Sequence, residues 1–304
     1  DLGGKSVVRK GRLGPGQMLA VDMETARIFD NWSVKEDAAS RFPYDEWLQR
    51  HRRNVDPQPW TQERQIGELD LLRLQTAMGF TAEDFDLVIE DMAALGKEPT
   101  FCMGDDIPLA VLSGKPHLLY DYFKQRFAQV TNPPIDPLRE KLVMSLEMHL
   151  GERRPALQPQ EEAAAVIHLE TPVLNEAELA AIARQGLPVK TLSTQLAVES
   201  CAAGLKDALE ALCDLAEQAV RDGAQVLLLS DRVDAAGEAI PLTATSVAIP
   251  ALLSVGAVHH HLLRRKLRLK CSLVVDTAQC WSTHHVACLI GYGASAVCPW
   301  LTWE

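Results

Sequence analysis

Two groups of histidines are the side chains in this sequence that first suggest chemistry, and only the first suggests a metal. One group is the run His259, His260 and His261. Successive residues of a helix point about 100° apart, so these three rings cannot all reach one ion. The helical zinc signature H-E-x-x-H is also absent from the chain. We therefore assign no metal to this run.

The second group is the pair His284 and His285, which follows a predicted strand at 272–276. Folds that alternate strands and helices place functional groups at the carboxyl ends of their strands, so the pair could take part in a site there. The alternative is a structural role, in which histidines at the start of a helix hydrogen-bond to backbone groups. The pattern favours this structural role.

Carboxylates and nucleophiles give no catalytic arrangement either. Asp105 and Asp106 are adjacent, so in an extended segment they point to opposite faces, whereas two carboxylates acting on one bond must converge. A cap or turn role is favoured for them. Ser113 and Ser230 lack the G-x-S-x-G turn that exposes a nucleophilic serine.

The cysteines indicate reduced thiols. The chain has seven, an odd number, with no C-x-x-C pair among positions 102, 201, 213, 271, 280, 288 and 298. None stands in a known nucleophile context. We predict buried free thiols rather than a disulfide framework or a zinc site.

Composition restricts the class of protein. A length of 304 residues predicts about two domains, and the hydrophobic fraction of 47% is typical of a globular protein. The 30 basic and 41 acidic residues give a net charge of -11, which argues against nucleic acid or an anionic membrane as partner. The N-terminus lacks the apolar core of a signal peptide and begins at Asp1 without methionine, so we expect a cytoplasmic or stromal location and a piece of a longer protein.

The first hundred residues contain turn, strand and helix signals. Glycines and a proline at 11–16 predict a structural turn, since no phosphate-binding pattern is present, and 18–22 should form a strand. Residues 62–96 read as helical in two pieces, split at 79–80. Thr81 should cap the second piece and Gly96 should end it.

The stretch 104–136 predicts a strand, a helix and a stiff exit. Alternating apolar residues at 107, 109 and 111 indicate the strand. Pro116 suits the start of the helix, whose apolar face would carry Leu119, Phe123, Phe127 and Val130. The helix should stop by Asn132, because Pro133 follows.

A further helix should begin at Asp136 and Pro137, an N-cap followed by a proline in the first turn. Leucines at 138, 142, 146 and 150 recur every four residues and predict one continuous helical face. The polar segment 151–162, with two prolines, is the best candidate for a linker.

Beyond the linker, short apolar runs alternate with longer helical patterns. The strands are expected at 165–169, 189–192, 225–230, 272–276 and 296–299. The helices are expected at 176–184, 202–221, 248–265 and 284–291. This alternation predicts an α/β fold with a parallel sheet and right-handed crossovers. Five strands cannot close an eight-stranded barrel, so we expect an open or incomplete (β/α) barrel, preceded by a mainly helical N-terminal part.

Several long segments resemble the central region of the glutamate synthase large subunit. They are KGRLGPGQMLAVD at 10–22, GDDIPLAVLS at 104–113, YDYF at 120–123, FAQVTNPPIDPLRE at 127–140 and HHVACLIGYGASA at 284–296. Two places depart from the family pattern. Asp-Thr-Ala at 276–278 replaces Glu-Thr-Gly, and Cys-Met-Gly at 102–104 replaces Ser-Met-Gly, which is typical of a divergent member.

The resemblance implies a domain organisation and a role. Residues 1–60 would continue from a glutamine amidotransferase domain, 61–150 would be the helical part, 151–162 the linker, and 163–304 the (β/α) part before a flavin domain. The chain would be non-catalytic alone. It would connect these domains and help form the tunnel that carries ammonia from glutamine to 2-oxoglutarate.

The resemblance also implies roles for two residues, the cofactors of the whole enzyme and the partners of this chain. Thr131 and Asn132 align with the mouth of the ammonia tunnel, and the alternative for both is an ordinary helix terminus. No cofactor is expected within this chain, whereas FMN and an iron–sulfur cluster belong to the full-length oxidoreductase. The partners would be the amidotransferase and FMN domains of the same chain, with ferredoxin or a nicotinamide-nucleotide-oxidising subunit as electron donor.

Two other classes of function are open from the residues alone. A stand-alone β/α enzyme would need titratable groups converging in a pocket at the carboxyl ends of the strands. An interaction module would present a broad exposed apolar patch.

Overall fold

The computed structural model of the chain describes residues 10–59, 66–100, 110, 112–114, 117–124, 135–234, 236–238 and 245–304. Two compact units divide the chain, Asp1–His51 and Arg52–Glu304. The predicted domain limits at 60 and at 151–162 stay predictions. None of the described helices is both long enough and apolar enough to cross a membrane.

The first unit is a hairpin followed by two helices. Its elements are β1 (Ala20–Asp22), β2 (Arg27–Phe29), α1 (Asn31–Ala39) and α2 (Tyr44–His51). The two strands are antiparallel, and the carboxylate of Asp22 holds the connecting turn by accepting from the Thr25 hydroxyl at 2.6 Å. The predicted turn is present, with Gln17 N donating to Gly14 O at 3.1 Å, and the predicted strand is confirmed in shorter form. Among residues 10–51, only Asn31 is buried.

The second unit starts with β3 (Arg53–Val55) and the predicted pair of helical pieces. These are α3 (Glu68–Met78), α4 (Ala82–Asp84) and α5 (Glu90–Leu95). Gly79 ends α3 with φ 93°, Thr81 forms a capping box with Asp84, and Gly96 ends α5 with φ 60°, which confirms the split and both caps. A π-helical turn joins α4 to α5 and was not predicted.

The helix predicted from Pro116 through Phe123 is wrong where the structure describes it. Only a 3₁₀ turn forms, over Leu119–Tyr122, and Phe123 is extended with φ -104° and ψ 130°. Tertiary packing outweighs the four-residue spacing here, because Tyr120 is buried in the core while Leu119 and Phe123 pack against it. The predicted strand at 107–111, apart from Ala110, lies outside the described residues, as do Pro116, Phe127 and Val130.

The helix predicted from Pro137 starts as expected but ends early. Asp136 caps α6 (Pro137–Val143) by accepting from Arg139 N at 3.0 Å. Residues 148–150 instead form β4 (Met148–Leu150), so the four leucines do not share one face. Leu138 is 94% exposed, whereas Leu150 is fully buried. The reason is sheet pairing, since β4 hydrogen-bonds to another strand.

That neighbour is β5 (Ile167–Leu169), which also pairs in parallel with β3. The three strands form a separate sheet in the order β3-β5-β4. The expectation that the strand at 165–169 joins the main parallel sheet is therefore wrong. The predicted linker runs between two strands of this small sheet, and Gly151 N donates to Ser272 Oγ at 3.0 Å.

The main sheet has four parallel strands, as the alternation predicted. They are β6 (Val189–Ser193), β8 (Val226–Ser230), β10 (Ser272–Asp276) and β11 (Ala296–Cys298). Their spatial order, β6-β8-β10-β11, follows the chain order, which is typical of part of a (β/α) barrel. The described residues contain no closed barrel. A small antiparallel pair, β7 (Gln195–Ala197) with β9 (Ser246–Ala248), lies outside this sheet.

Helices surround the main sheet. They are α7 (Glu176–Ala183), α8 (Cys201–Arg221), α9 (Ala251–Arg264), α10 (Thr283–Gly291) and α11 (Trp300–Trp303). Successive strand residues face opposite sides. Thus Leu227 and Leu273 join the core that contains the inner faces of α8 and α9, while Val226 and Val274 join a second core with Ile182 of α7.

The cysteine prediction is confirmed for the five side chains that the structure describes. Cys213, Cys271, Cys280 and Cys298 are buried free thiols, and Cys288 is half-buried.

Candidate functional site

A buried polar cluster lies at the carboxyl ends of β8 and β10. Ser230 ends β8 and lies opposite Asp276, the last residue of β10. Asp231 and Arg232 continue the chain after β8. Because the strands are parallel and in register, their final residues meet at one edge of the sheet. Glu176, in the first turn of α7, supplies the remaining charged group.

Arg232 connects the two carboxylates of this cluster. Its Nε donates to Asp276 Oδ2 at 2.8 Å, and its Nη1 donates to Glu176 Oε1. The guanidinium lies 5.2 Å from the ring centroid of Trp300. Burial disfavours the charge of Arg232, but the two carboxylates outweigh that effect and raise its pKa above the usual value. The side chain is therefore a permanent cation held between two acids.

Asp231 is a separate buried carboxylate whose oxygens are fully used. Its Oδ2 accepts from Thr277 Oγ1 and from Ala278 N, each at 2.8 Å, and its Oδ1 accepts from Trp300 Nε1 at 2.8 Å. Burial and the nearby Asp276 raise the pKa of Asp231 to about 6 despite these three donors. This residue ties the ends of three successive strands together.

Two carboxylate oxygens of the cluster are not used. Glu176 Oε2 and Asp276 Oδ1 are buried and have no hydrogen-bond partner among the described residues. Both residues line a cavity of about 310 Å³ on the α7 side of the main sheet. The rest of its wall is mainly apolar and includes Leu179, Val189 and Leu228. Both unused oxygens are almost fully enclosed by the protein, so the accessible wall of the cavity is mainly apolar.

Cys298 borders the same cluster. Burial raises the pKa of its thiol well above the usual value, and the negative charge of Asp276 raises it further. A thiol held in the neutral form is a poor nucleophile and a poor metal ligand. Cys298 therefore acts here as a packing residue.

A larger groove of about 870 Å³ lies along α8 and α9. Near it, Asp214, Glu217 and His261 place potential ligand atoms within 4.8 Å of one another, the only such group in the described part of the chain. Glu217, however, already accepts from His261 Nε2 at 2.7 Å and pairs with Arg265 Nε at 2.9 Å. These neighbours balance the negative charge of Glu217, so no metal ion is needed for that purpose.

The consecutive histidines have separate partners, as the helix geometry predicts. His259 Nδ1 accepts from Arg268 Nε at 3.0 Å, whereas His261 binds Glu217. Burial and the adjacent Arg268 lower the pKa of His259, which favours the neutral ring.

The structural alternative is confirmed for the second histidine pair. His284 Nε2 donates to Tyr120 O at 2.9 Å, and His285 Nδ1 accepts from Trp281 N at 3.3 Å. The His285 ring stacks on Tyr120 with centroids 4.3 Å apart. Burial, helped by His284, lowers the pKa of His285 to about 3, so the ring stays neutral at physiological pH. The pair anchors the 3₁₀ turn to α10.

The remaining residues considered in the sequence analysis do not add a site to the described part of the structure. Thr131, Asn132, Asp105 and Asp106 lie outside the described residues. Ser230, which lacks a nucleophile motif, donates to Asp276 Oδ2 at 2.7 Å.

Sequence reasoning missed the pairing of Arg232 with Glu176 and Asp276. One available signal was the polar run Ser-Asp-Arg at 230–232 directly after a buried strand, matched by Asp-Thr at 276–277 after the next strand. Glu176 gave no such signal, because an acid in the first turn of a helix is ordinary.

Comparison with known families gives two matches along the chain. Residues 73–304 match the family described as glutamate synthase central domain. Residues 1–47 match the family described as class-II glutamine amidotransferases.

Curated relatives match the whole chain. A protein of Synechocystis sp. named ferredoxin-dependent glutamate synthase 2 is 53% identical over 305 residues, covering 100% of this chain and 19% of that protein. The chloroplastic ferredoxin-dependent glutamate synthase of Oryza sativa subsp. japonica is 53% identical over 300 residues, covering 98% of this chain and 18% of that protein. The chain thus spans about a fifth of the length of these relatives.

Proposed function

The chain belongs to the glutamate synthase central domain family, and we propose that it is the connecting part of a ferredoxin-dependent glutamate synthase. The match of residues 73–304 carries this proposal, and the names of the similar proteins support the electron donor. The whole enzyme would be an oxidoreductase that moves the amide nitrogen of glutamine to 2-oxoglutarate. A nicotinamide nucleotide acting as donor in place of ferredoxin would overturn that part of the proposal.

We assign the chemistry to the other parts of the enzyme. Two described nucleophile–base contacts are poorly suited to catalysis. Ser230 donates to Asp276 Oδ2, which Arg232 also holds. Cys288 Sγ lies 3.8 Å from His284 Nε2, but burial raises the pKa of the thiol and the ring is used by Tyr120 O. FMN and the iron–sulfur cluster would belong to the same outside regions. The one described group with ligand atoms close together contains no cysteine, so it does not suit an iron–sulfur cluster.

The role proposed for this chain is to keep ammonia away from bulk water. Ammonia that reaches water becomes protonated and loses its nucleophilicity, so transfer between two sites needs an enclosed path. Thr131 and Asn132 would form the mouth of this tunnel, with Pro133 restricting the backbone beside them. On the N-terminal side of this segment, Tyr120 is buried in the core, which supports a fixed position for the chain that leads to it.

The first unit would complete the amidotransferase domain. The match of residues 1–47 to class-II glutamine amidotransferases supports this assignment. So does burial, because Asn31 is the only buried residue at 10–51 and apolar side chains such as Ile28 and Trp32 are exposed. The amidotransferase and FMN domains of the same polypeptide are therefore the proposed partners. The cytoplasm, or the stroma in a plastid-bearing organism, is the proposed location, in line with the chloroplastic relatives.

The tunnel role can be tested by Thr131→Trp in the full-length enzyme. The bulky ring should obstruct the path, so the ratio of glutamate formed from 2-oxoglutarate to glutamine hydrolysed should fall below that of the wild type. Ammonia should then accumulate in the medium, while reduction of the flavin stays unchanged. The measurements are the rates of these three reactions and the ammonia released.

Thr76→Trp is the matched control, since Thr76 lies on the exposed face of α3 and should tolerate the ring. An unchanged ratio in Thr131→Trp, with glutamine hydrolysis and flavin reduction both at the wild-type rate, would contradict the tunnel role. Equal losses in all three reactions would mean misfolding; in that case Thr131→Val, which replaces the hydroxyl with a methyl group, would have to change the ratio for the role to stand.

A further inference from the structure

We propose that His149, His168 and Glu147 form a binding site for a divalent metal ion of the zinc class on one face of the small sheet β3-β5-β4. The ion would hold β4 against β5 and close the loop that contains the polar segment 151–162. This proposal does not rest on the ammonia tunnel, and its test reads a different part of the chain.

The first support is a pair of histidines on neighbouring strands. His149 of β4 lies directly opposite His168 of β5 in the antiparallel register, so both side chains point to the same face of the sheet. The ring centroids are 5.1 Å apart, and the ring planes are inclined by 48°. Two imidazoles bound to one tetrahedral zinc ion, with Zn–N bonds of about 2.1 Å, have centroids about 5 Å apart. The observed spacing therefore matches that of two rings sharing an ion.

The second support is a carboxylate beside this pair. Glu147 Oε2 lies 3.6 Å from His168 Nε2, close to the separation of about 3.3 Å between two ligand atoms of a tetrahedral zinc ion. The charge of Glu147 would offset part of the charge of the ion. Two histidines and one carboxylate, with water in the fourth position, are an established ligand set for zinc.

The third support is that the ligand atoms can be reached from solvent. His149 is exposed, and the side chains of His168 and Glu147 are 18% and 57% exposed. Within the described residues, the His149 ring has no hydrogen-bond partner. Burial, together with His168 and Arg52, lowers the pKa of His149, so the ring is neutral at physiological pH. Neutral imidazole is the form that binds a metal.

The group at α8 and α9 is the useful contrast. Asp214, Glu217 and His261 place their ligand atoms within 4.8 Å of one another, which the strand group achieves only after the His149 ring turns. The carboxylate of Glu217, however, is already held by two arginines and by His261. The ring of His149 is exposed and has no such bond, and exposed side chains change rotamer within nanoseconds. The looser group is therefore the one that is free to bind.

The ligand set selects the kind of metal. Imidazoles suit zinc, nickel and copper, whereas magnesium and calcium prefer oxygen ligands. The positive charges of Arg52 and Arg153 lie near His149 and oppose any cation. Both arginines are exposed, so water and salt screen this repulsion, but an ion with strong affinity for imidazole is required.

The proposed role of the ion is to staple two short strands. β4 and β5 have only three residues each, so few hydrogen bonds hold them together. An ion shared by His149 and His168 would close the loop between the strands, which restricts the unfolded chain and opposes local opening. The expected consequence is slower hydrogen exchange in both strands when the metal is bound.

Hydrogen–deuterium exchange measured by mass spectrometry on the full-length protein tests the proposal. The protein is freed of metal with a chelator, the chelator is removed, and exchange is compared in zinc chloride, in magnesium chloride and without added metal. Peptides covering 146–151 and 166–170 should exchange more slowly in zinc, saturably and reversibly. The slowing should reach about tenfold at ten times the dissociation constant, since a ligand that binds only the closed state suppresses opening in that proportion.

His149→Gln should remove the zinc response, because one imidazole is lost at an exposed position that tolerates glutamine. Glu147→Gln should weaken zinc binding by at least about tenfold, since even the outer partners of metal ligands are worth that much. His117→Gln is the matched control. His117 is also exposed and lies beside an acid, with Nδ1 3.2 Å from Asp121 Oδ2, and this variant should keep the full response. If His149→Gln alters exchange throughout the protein without metal, Glu147→Gln decides the question.

Three results would overturn the proposal. One is no slowing by zinc in the two peptides, or slowing only at millimolar zinc, which would mean nonspecific binding. Another is an equal response to magnesium, which would mean a general effect of divalent salts. The third is a full zinc response in a folded His149→Gln or Glu147→Gln protein.

Discussion

The two compact units of the chain differ most in what they bury. In the described part of the first unit, residues 10–51, Asn31 alone is buried, while Ile28 is 71% and Trp32 is 73% exposed. The second unit has two hydrophobic cores, one on each side of the main sheet. Local signals form the elements of both units, but in the part of the chain that the structure describes only the second has a hydrophobic core.

The same difference decides what charged groups can do. In the first unit, the pair Arg41 and Asp37 is exposed to water, which screens it. In the second unit, Arg232 lies between Glu176 and Asp276 away from water, so each partner depends on the others. Charged residues that pair at a surface are screened by water, whereas the same kinds of residue buried in a core form a cluster with fixed geometry.

The largest expected effect comes from breaking that cluster. Arg232→Met should lower the free energy of unfolding of the 304-residue chain by about 3 to 5 kcal/mol, because two buried carboxylates lose their cation. Arg41→Met, the same change in an exposed pair, should cost less than about 0.5 kcal/mol. Urea unfolding followed by circular dichroism measures both. Similar costs for the two variants would refute the contrast between the units.

The next effect concerns apolar side chains. Leu273→Ala should cost about 2 to 5 kcal/mol, since Leu273 is fully buried in the main sheet. Ile28→Ala should cost less than about 0.5 kcal/mol in the 304-residue chain, because the side chain is exposed. The same unfolding experiment applies.

Ile28→Ala also sharpens the comparison when repeated in the full-length protein. If the amidotransferase domain covers the hairpin, local hydrogen exchange of residues 20–29 should become faster in the variant. A large cost of Ile28→Ala already in the 304-residue chain would mean that this residue is not at a free surface.

The smallest expected effect is on the pH dependence of stability. The contributions of Asp231 in the second unit and Asp22 in the first change with pH in opposite directions. Burial raises the pKa of Asp231 to about 6, so the folded state binds its proton more tightly than the unfolded state does. This contribution to stability is full below the unfolded pKa, near 3.9, and is lost as the pH rises through 6. Lowering the pH from 7 to 5 should therefore stabilise the second unit by about 1 kcal/mol through this group.

Asp22 in the first unit behaves in the opposite way. The hydroxyl of Thr25 lowers the pKa of Asp22, so its contribution persists above the unfolded value and is lost only as the pH falls through the folded one. Comparing the free energies of unfolding of Asp231→Asn and the wild type at pH 7 and pH 5 isolates the contribution of Asp231. An unchanged difference between the two proteins across this range would contradict the prediction.

Much of the second unit follows from local patterns. The strands and helices of the main sheet occur where alternation and helical spacing predict them, because each such pattern needs only one face to be buried. The sequence also predicted the helix ends correctly. Thr81, Gly79 and Gly96 act through hydrogen bonds to residues only a few positions away. The GYGA segment of the family resemblance has both a local and a tertiary reason. Gly293 has φ 117°, which favours glycine, and a Cβ there would overlap the ring of the distant His259.

The failures share one cause. Leucines spaced four apart predicted a helix to residue 150, but Met148–Leu150 pairs with β5, which no pattern within the leucine repeat could reveal. The spacing of residues 119–123 likewise predicted a helix, but the segment forms a 3₁₀ turn instead. This turn buries Tyr120 against the ring of His285. Pairing and packing with distant residues override local preference whenever they bury more surface.

The sequence by itself determined the family, the alternation of strands and helices, and the absence of a local catalytic motif. It could do so because these properties depend on residue types and on neighbours a few positions away. Only the tertiary structure decided which acids meet Arg232, which oxygens are left without a donor, and which unit has a core. Glu176 and Asp276 are 100 residues apart, so their meeting depends on how α7 packs against the carboxyl ends of the strands.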